Sequence, residues 1–202
     1  MSRKMATFLV LSRAKPKPGY ATTAIKRLKE LAEVSKSSGS VNAEFGSIRT
    51  GQSVGSLLAL QYFNNMADIE AVYEKILGMP AYEEMFATGN VELTGRAIAR
   101  IHHRELGSST DPKYMVLTKF ESETEMLDEA KNVLGIFMAN GGMSCGYATL
   151  IGGNSVGDRL MGVRYPSMEA IQKAYDVARD SADFQSALSK VKVQFRNIIR
   201  LA

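Results

Sequence analysis

Sliding the 202-residue chain along itself by 102 positions sets residues 51–87 against 153–189 without a gap. The identities are Gly51/Gly153, Ser53/Ser155, Val54/Val156, Gly55/Gly157, Leu58/Leu160, Met66/Met168, Ile69/Ile171 and Tyr73/Tyr175. Ordinary residue frequencies would give roughly two or three over such a stretch. With small shifts the match reaches both ends: 8–13 parallels 114–119, and 96–101 parallels 196–201. A repeat this long means one supersecondary unit used twice. The division is a first unit over 1–104, a Gly/Ser/Pro-rich linker over 105–112, and a second unit over 113–202.

Each unit reads alike. A strand (about 6–14; 113–120) precedes an amphipathic helix (about 19–37; 123–140). Two strands follow (about 41–50 and 56–64; 143–151 and 158–165), joined by GQSVG and GNSVG, whose Gly and Asn suit positive φ. A second helix starts after Asn65 or Ser167, both good N-caps, and Pro80 splits the first copy. A last strand (about 94–103; 193–201) closes the unit. The order βαββαβ is the ferredoxin-like arrangement, an antiparallel sheet with both helices on one face. The fold class is α+β.

Such a sheet leaves one face bare. Alternation puts Leu9, Leu11, Met115 and Leu117 on one side of the first strands, expected to be the helix side. Phe8, Val10 and Ser12, with Tyr114, Val116 and Thr118, then fall on the bare side, which is too apolar for water. The expected solution is two sheets packed face to face as an α+β barrel, within one chain or between chains.

Composition excludes several classes. Charged residues are 23 % and the net charge is +4, with 25 basic residues scattered among 21 acidic ones, so no nucleic-acid partner is expected. Arg3, Lys4 and the run Phe8–Leu11 fall short of a signal peptide, and no stretch approaches the ~20 apolar residues of a span. No membrane partner and a cytoplasmic setting are the expectations. The single cysteine, Cys145, forms no disulfide within the chain and reads as a buried apolar residue. Met66, Met126, Met138 and Met168 read as helix core filler.

The only histidines, His102 and His103, are adjacent and expected on opposite strand faces, so no metal site and no catalytic residue are assigned. The nameable constellation is arginine: Arg96 and Arg100 share a strand face with His102, and Arg196 and Arg200 repeat it. Four guanidiniums related by pseudo-symmetry at a barrel mouth could hold an anion. Edge-strand charges guarding against aggregation are the alternative. Phe45, Tyr114 and Tyr147 complete the candidate pocket between the sheets.

The element order, with Met79–Phe86 (MPAYEEMF) and Ser181–Leu188 (SADFQSAL) ending the second helices, resembles the dimeric α+β barrel proteins, in particular the antibiotic-biosynthesis-monooxygenase-like group. The resemblance spans both units. It implies a family of enzymes, haem-handling proteins and members of unknown role. Where such members often carry a helix histidine this chain has Ile76 and Ala178, and it has no Trp. Histidine-dependent chemistry and haem degradation therefore do not carry over, and no cofactor is expected.

Two functions follow. One is a barrel that binds, or oxidises without a cofactor in the manner of a monooxygenase, a small aromatic or acidic organic molecule. The other is a non-catalytic, homo-oligomeric assembly protein with a filled barrel. A cavity of ~300 Å³ or more between the sheets separates the two.

Overall fold

Strands that are apolar on both faces need cover on both, and the chain meets that constraint by closing its sheet on itself. The structure, a computed structural model, describes residues 6–107 and 111–202. Arg3, Lys4 and linker positions 108–110 lie outside the described residues. The first unit runs β1 (Phe8–Pro16), α1 (Ala21–Ser37), β2 (Asn42–Ile48), β3 (Leu57–Phe63), α2 (Met66–Leu77), α3 (Pro80–Tyr82) and β4 (Val91–Leu106). A π-helical turn, Glu83–Ala87, separates α3 from β4. The second runs β5 (Tyr114–Ser122), α4 (Leu127–Ala139), β6 (Ser144–Gly152), β7 (Arg159–Tyr165), α5 (Met168–Arg179), α6 (Ala182–Ser189) and β8 (Val191–Leu201).

Local chemistry sets these bounds. The Asn65 side chain accepts from the Asp68 amide at 2.9 Å, and the Ser167 hydroxyl from the Ala170 amide at 3.1 Å. These are the two expected caps. Pro80 opens α3 at a position where its missing amide costs nothing. Gly51, Gly55, Gly153 and Gly157 all have φ between +80° and +96°, so both repeated turns need glycine at both ends. Met66 and Met168 open α2 and α5 at the surface, each 47 % exposed, and are not core filler. Met126 is buried, but it sits before α4 with φ of +54°.

All pairings are antiparallel, and the strand order β1-β3-β2-β8-β5-β7-β6-β4 is a closed barrel. The two four-stranded sheets meet along two seams, β2 with β8 and β4 with β6. The barrel therefore closes within one chain, and the fourth strands are not edges. Duplication extends to irregularities: a bulge at Arg13/Ala14 in the β1–β4 pair recurs at Lys119/Phe120 in the β5–β8 pair.

The assignment of faces is the reverse of that expected. Leu9, Leu11, Met115 and Leu117 point into the barrel, where they pack with Leu58, Leu60, Leu150, Leu160, Ile48 and Ile199. Phe8 and Val10 pack under α1 and α2, and Tyr114 and Val116 under α4 and α5. Alternation separates two faces but does not label them when both are apolar. The interior is largely filled. Its cavities are about 190 Å³ at one end and about 40 Å³ at the other, below the size expected of a ligand chamber between the sheets.

The narrower end is closed by polar groups from both units. Arg164 of β7 reaches Glu44 of β2 through Nε and Nη2, both at 2.9 Å, and donates to the Tyr62 hydroxyl. Burial opposes the Arg164 charge, but Tyr62 and Glu44 outweigh it and hold its pKa above the usual arginine value. Among the described residues, no helix is long and apolar enough to cross a membrane.

Two measurements test this packing. A Cβ at Gly46 would lie 2.4 Å from the Arg200 carbonyl oxygen across the β2–β8 seam, whereas one at Gly95 meets nothing within 4 Å. Gly46→Ala is expected to destabilise by about 1–3 kcal/mol in urea unfolding, and Gly95→Ala to stay within about 0.5 kcal/mol of the parent. Glu44→Gln strands a buried guanidinium and is expected to cost about 3 kcal/mol, most of it recovered when Arg164→Met is added.

Candidate functional site

The side of the sheet that faces the helices carries a connected row of polar groups in the first unit. Ser12 of β1 and Arg96 of β4 are directly paired across the ladder, and the Arg96 Nε donates to Ser12 Oγ at 2.9 Å. The guanidinium lies 4.3 Å from the centre of the Tyr73 ring, a stacked cation–π geometry. The Tyr73 hydroxyl donates to Gln61 Oε1 at 2.6 Å, and Gln61 Nε2 donates to Ser35 Oγ at 2.9 Å. Strands β1, β3 and β4 and helices α1 and α2 thus each supply one member of a connected row. Burial pushes the Tyr73 phenol up, partly offset by Arg96, so it acts as a donor near neutral pH.

This row floors a cleft of about 60 Å³, walled by Leu28, Leu31, Phe45, Ile76, Tyr82 and Phe86. Tyr82 and Phe86, with ring centres 4.6 Å apart, lie in α3 and the π-helical turn that follows it. A π turn is a local departure from the ordinary helical ladder and is common at functional sites. Here it turns two aromatic rings over the entrance.

The second unit repeats the frame and narrows the space. Arg196 Nε donates to Thr118 Oγ1 at 3.3 Å, and the guanidinium lies 5.0 Å from the Tyr175 ring centre. At the same offset, however, Gln61 is replaced by Val163 and Ser35 by Phe137, both buried. Ala14 becomes Phe120 and Ala59 becomes Met161, both lining the second cleft, which is reduced to about 40 Å³. The retained arginine–tyrosine pair there has no hydrogen-bonded row beneath it.

The expected four-arginine mouth does not form. Arg96 and Phe45 share the first cleft, Arg196 lines the second, Arg100 is exposed, and Arg200 stacks 4.9 Å from the Tyr114 ring centre. Tyr147 is fully buried and donates to the Glu125 carbonyl, and burial pushes its phenol up to about 12. His102 and His103 do not face opposite ways. The register shift between Ile101 and His103 sets His102 beside Thr149 (2.9 Å) and pairs His103 with Tyr147. A bulge restores the side that alternation would have switched.

Ser35, Gln61 and Tyr73 were not singled out by sequence. Two signals were present: a lone amide in the apolar strand LLALQYF, and a tyrosine kept identical in both copies. A haem, which the barrel resemblance brings into question, does not fit the first cleft. Its lining offers no histidine, cysteine or methionine, and Tyr73 is pushed away from the tyrosinate that could ligate iron. Cys145 is buried with its thiol pushed up to about 11 by burial and by Glu105, contrary to what a nucleophile needs.

The row has an energetic signature. Gln61→Val leaves the Ser35 hydroxyl without its partner and the Tyr73 hydroxyl with only Ser12 Oγ at 3.5 Å, and is expected to cost about 1–2 kcal/mol. Adding Ser35→Ala removes one of the stranded groups and should restore part of that loss in equilibrium unfolding.

A family model described as Domain of unknown function (DUF6854) matches the chain twice, over residues 6–101 and 112–201. No curated protein matches it significantly. Several solved structures share its fold. One is a candidate monooxygenase from Fusobacterium nucleatum subsp. nucleatum (TM-score 0.70, 10 % identity, 98 % of this chain and 93 % of that one). Another is an anthrone oxidase-like protein (TM-score 0.62, 14 % identity, 100 % and 94 %). A third is a chlorite dismutase variant from Candidatus Nitrospira defluvii (TM-score 0.65, 8 % identity, 98 % and 92 %). At these identities the likeness is one of fold, that of the tandem ferredoxin-like α+β barrel.

Proposed function

The chain belongs to the DUF6854 family and carries its unit twice, and we propose that its first unit binds a small planar aromatic molecule with an acidic hydroxyl and promotes its oxidation by O₂. The observation that carries this reading is the Arg96 guanidinium, fixed by Ser12 and the Tyr73 ring at the polar end of an otherwise apolar cleft. A fixed cation in a dry cleft lowers the pKa of a phenol or enol and favours its anion. Tyr73, whose hydroxyl is committed to Gln61 Oε1, holds the guanidinium in place through its ring.

Such an anion is electron-rich enough to give an electron to O₂. The ring carbon conjugated with the anionic oxygen (the CH₂ opposite the carbonyl of an anthrone, a ring CH of a hydroquinone) then bonds the reduced oxygen as a hydroperoxide. The O–O bond breaks with loss of water and leaves C=O at that carbon, so one oxygen atom enters the product, the other leaves as water, and the substrate supplies all four electrons. The fold shared with candidate monooxygenases and an anthrone oxidase-like protein supports this class of chemistry. Tyr82 and Phe86 must swing aside to admit a ring, since about 60 Å³ is too little for one. The second cleft is narrower and lacks the polar row, which supports one ligand per chain.

The test is O₂ consumption and product absorbance with anthrones and hydroquinones. Arg96→Gln is expected to lower kcat/KM about 100-fold, whereas Arg196→Gln leaves it unchanged. Equal effects of the two substitutions, or no turnover and no binding by the parent, would sink the reading.

The filled interior favours a second reading, a non-catalytic homo-oligomeric assembly protein. Light scattering of the purified chain decides it: a multimer that binds none of these aromatics supports it, and a monomer that binds them does not. A cytoplasmic setting belongs to both readings, supported by the one free thiol.

A further inference from the structure

The seam between β4 and β6 brings two side chains of one strand against a third, of different chemistry, from the other unit. His103 and Glu105, two residues apart on β4, lie on one face after the bulge. Cys145 of β6 is the direct ladder partner of Glu105. One imidazole nitrogen, one carboxylate oxygen and the Cys145 sulfur all lie within 4.8 Å of one another. Cys145 is buried, His103 half-buried and Glu105 exposed, so the group runs from the core to the surface.

We propose that His103, Glu105 and Cys145 form a binding site for a borderline divalent cation, Zn²⁺ by preference, which clasps the first unit to the second. The donor set is the argument. Sulfur and imidazole nitrogen select Zn²⁺ over Mg²⁺ or Ca²⁺, and three protein ligands leave a fourth tetrahedral position for water. Thiolate, carboxylate and neutral imidazole sum to two negative charges, which a divalent ion cancels at a half-buried position. Zinc bonds of about 2.0–2.3 Å put tetrahedral donors about 3.5 Å apart. The three atoms therefore need to close by only about an ångström, which side-chain rotation supplies.

The backbone is already placed for it. The β4–β6 ladder runs from Ile98 to Leu106 against Gly152 to Ser144, so both strands are held on either side of the three residues. Binding would bridge β4 of one copy and β6 of the other, next to the linker. The site is independent of the Arg96 cleft, and oxidation activity is not needed to detect it.

The experiment is titration of the chelator-treated full-length chain with Zn²⁺, and with Co²⁺ as a spectroscopic probe. The expected result is one equivalent bound, a thiolate-to-cobalt charge-transfer band in the near ultraviolet, and a rise in Tm on adding Zn²⁺. Cys145→Ser should abolish the band. His103→Ala and Glu105→Gln alter half-buried and exposed positions, so they should fold normally and weaken Zn²⁺ binding by on the order of tenfold or more. Circular dichroism of each variant separates lost ligation from lost folding. No cobalt–thiolate band in the folded parent, or equal Zn²⁺ affinity in the parent and His103→Ala, overturns the proposal.

Discussion

The structure depends on one continuous hydrogen-bond ladder through eight strands. Each four-stranded sheet alone would expose a leucine-rich face and two unpaired edges, either of which invites aggregation. Closing the β2–β8 and β4–β6 seams removes both problems at once. It also fixes where a ligand site can lie. With Leu9, Leu11, Leu58, Leu60 and their counterparts meeting in the centre, little room remains inside. The widest opening, about 190 Å³, is at one end of the interior, whereas the cleft floored by a connected polar row lies outside the barrel, between sheet and helices.

Covalent duplication allowed the two outer clefts to part company. Arg96/Arg196, Tyr73/Tyr175 and Ser12/Thr118 keep a shared frame. Around it, Gln61 and Ser35 give way to Val163 and Phe137, and Ala14 and Ala59 to Phe120 and Met161. The first copy keeps a hydrogen-bonded polar row under a small void. The second replaces the row with apolar side chains and narrows the void to about 40 Å³.

Much of the fold was legible in the sequence because its signals are local or repeated. The GQSVG and GNSVG turns, the Asn65 and Ser167 caps and the Pro80 break all appear where local chemistry puts them. Which strand face meets the helices was not legible. Leu9 and Val10 are equally apolar, and both faces of a barrel strand are buried, so alternation carried no label. That one inversion moved Arg96, Phe45, Tyr114 and Tyr147 from an imagined inner chamber to the helix side. The His102–His103 bulge, and the meeting of His103 with Cys145, arise from register between strands of different units, which local sequence does not encode.

The β2–β8 seam pairs Gly46–Ile48 with Ile199–Leu201 and is extended by the Arg49 amide to the Ile198 carbonyl and the Ala202 amide to the Phe45 carbonyl. Two separate chains joined at this seam and at β4–β6 would depend on their concentration, and dilution would part them. A linker turns that encounter into an intramolecular one at an effective concentration on the order of millimolar. The barrel therefore remains assembled at any expression level, and each half is free to accumulate changes its twin does not share.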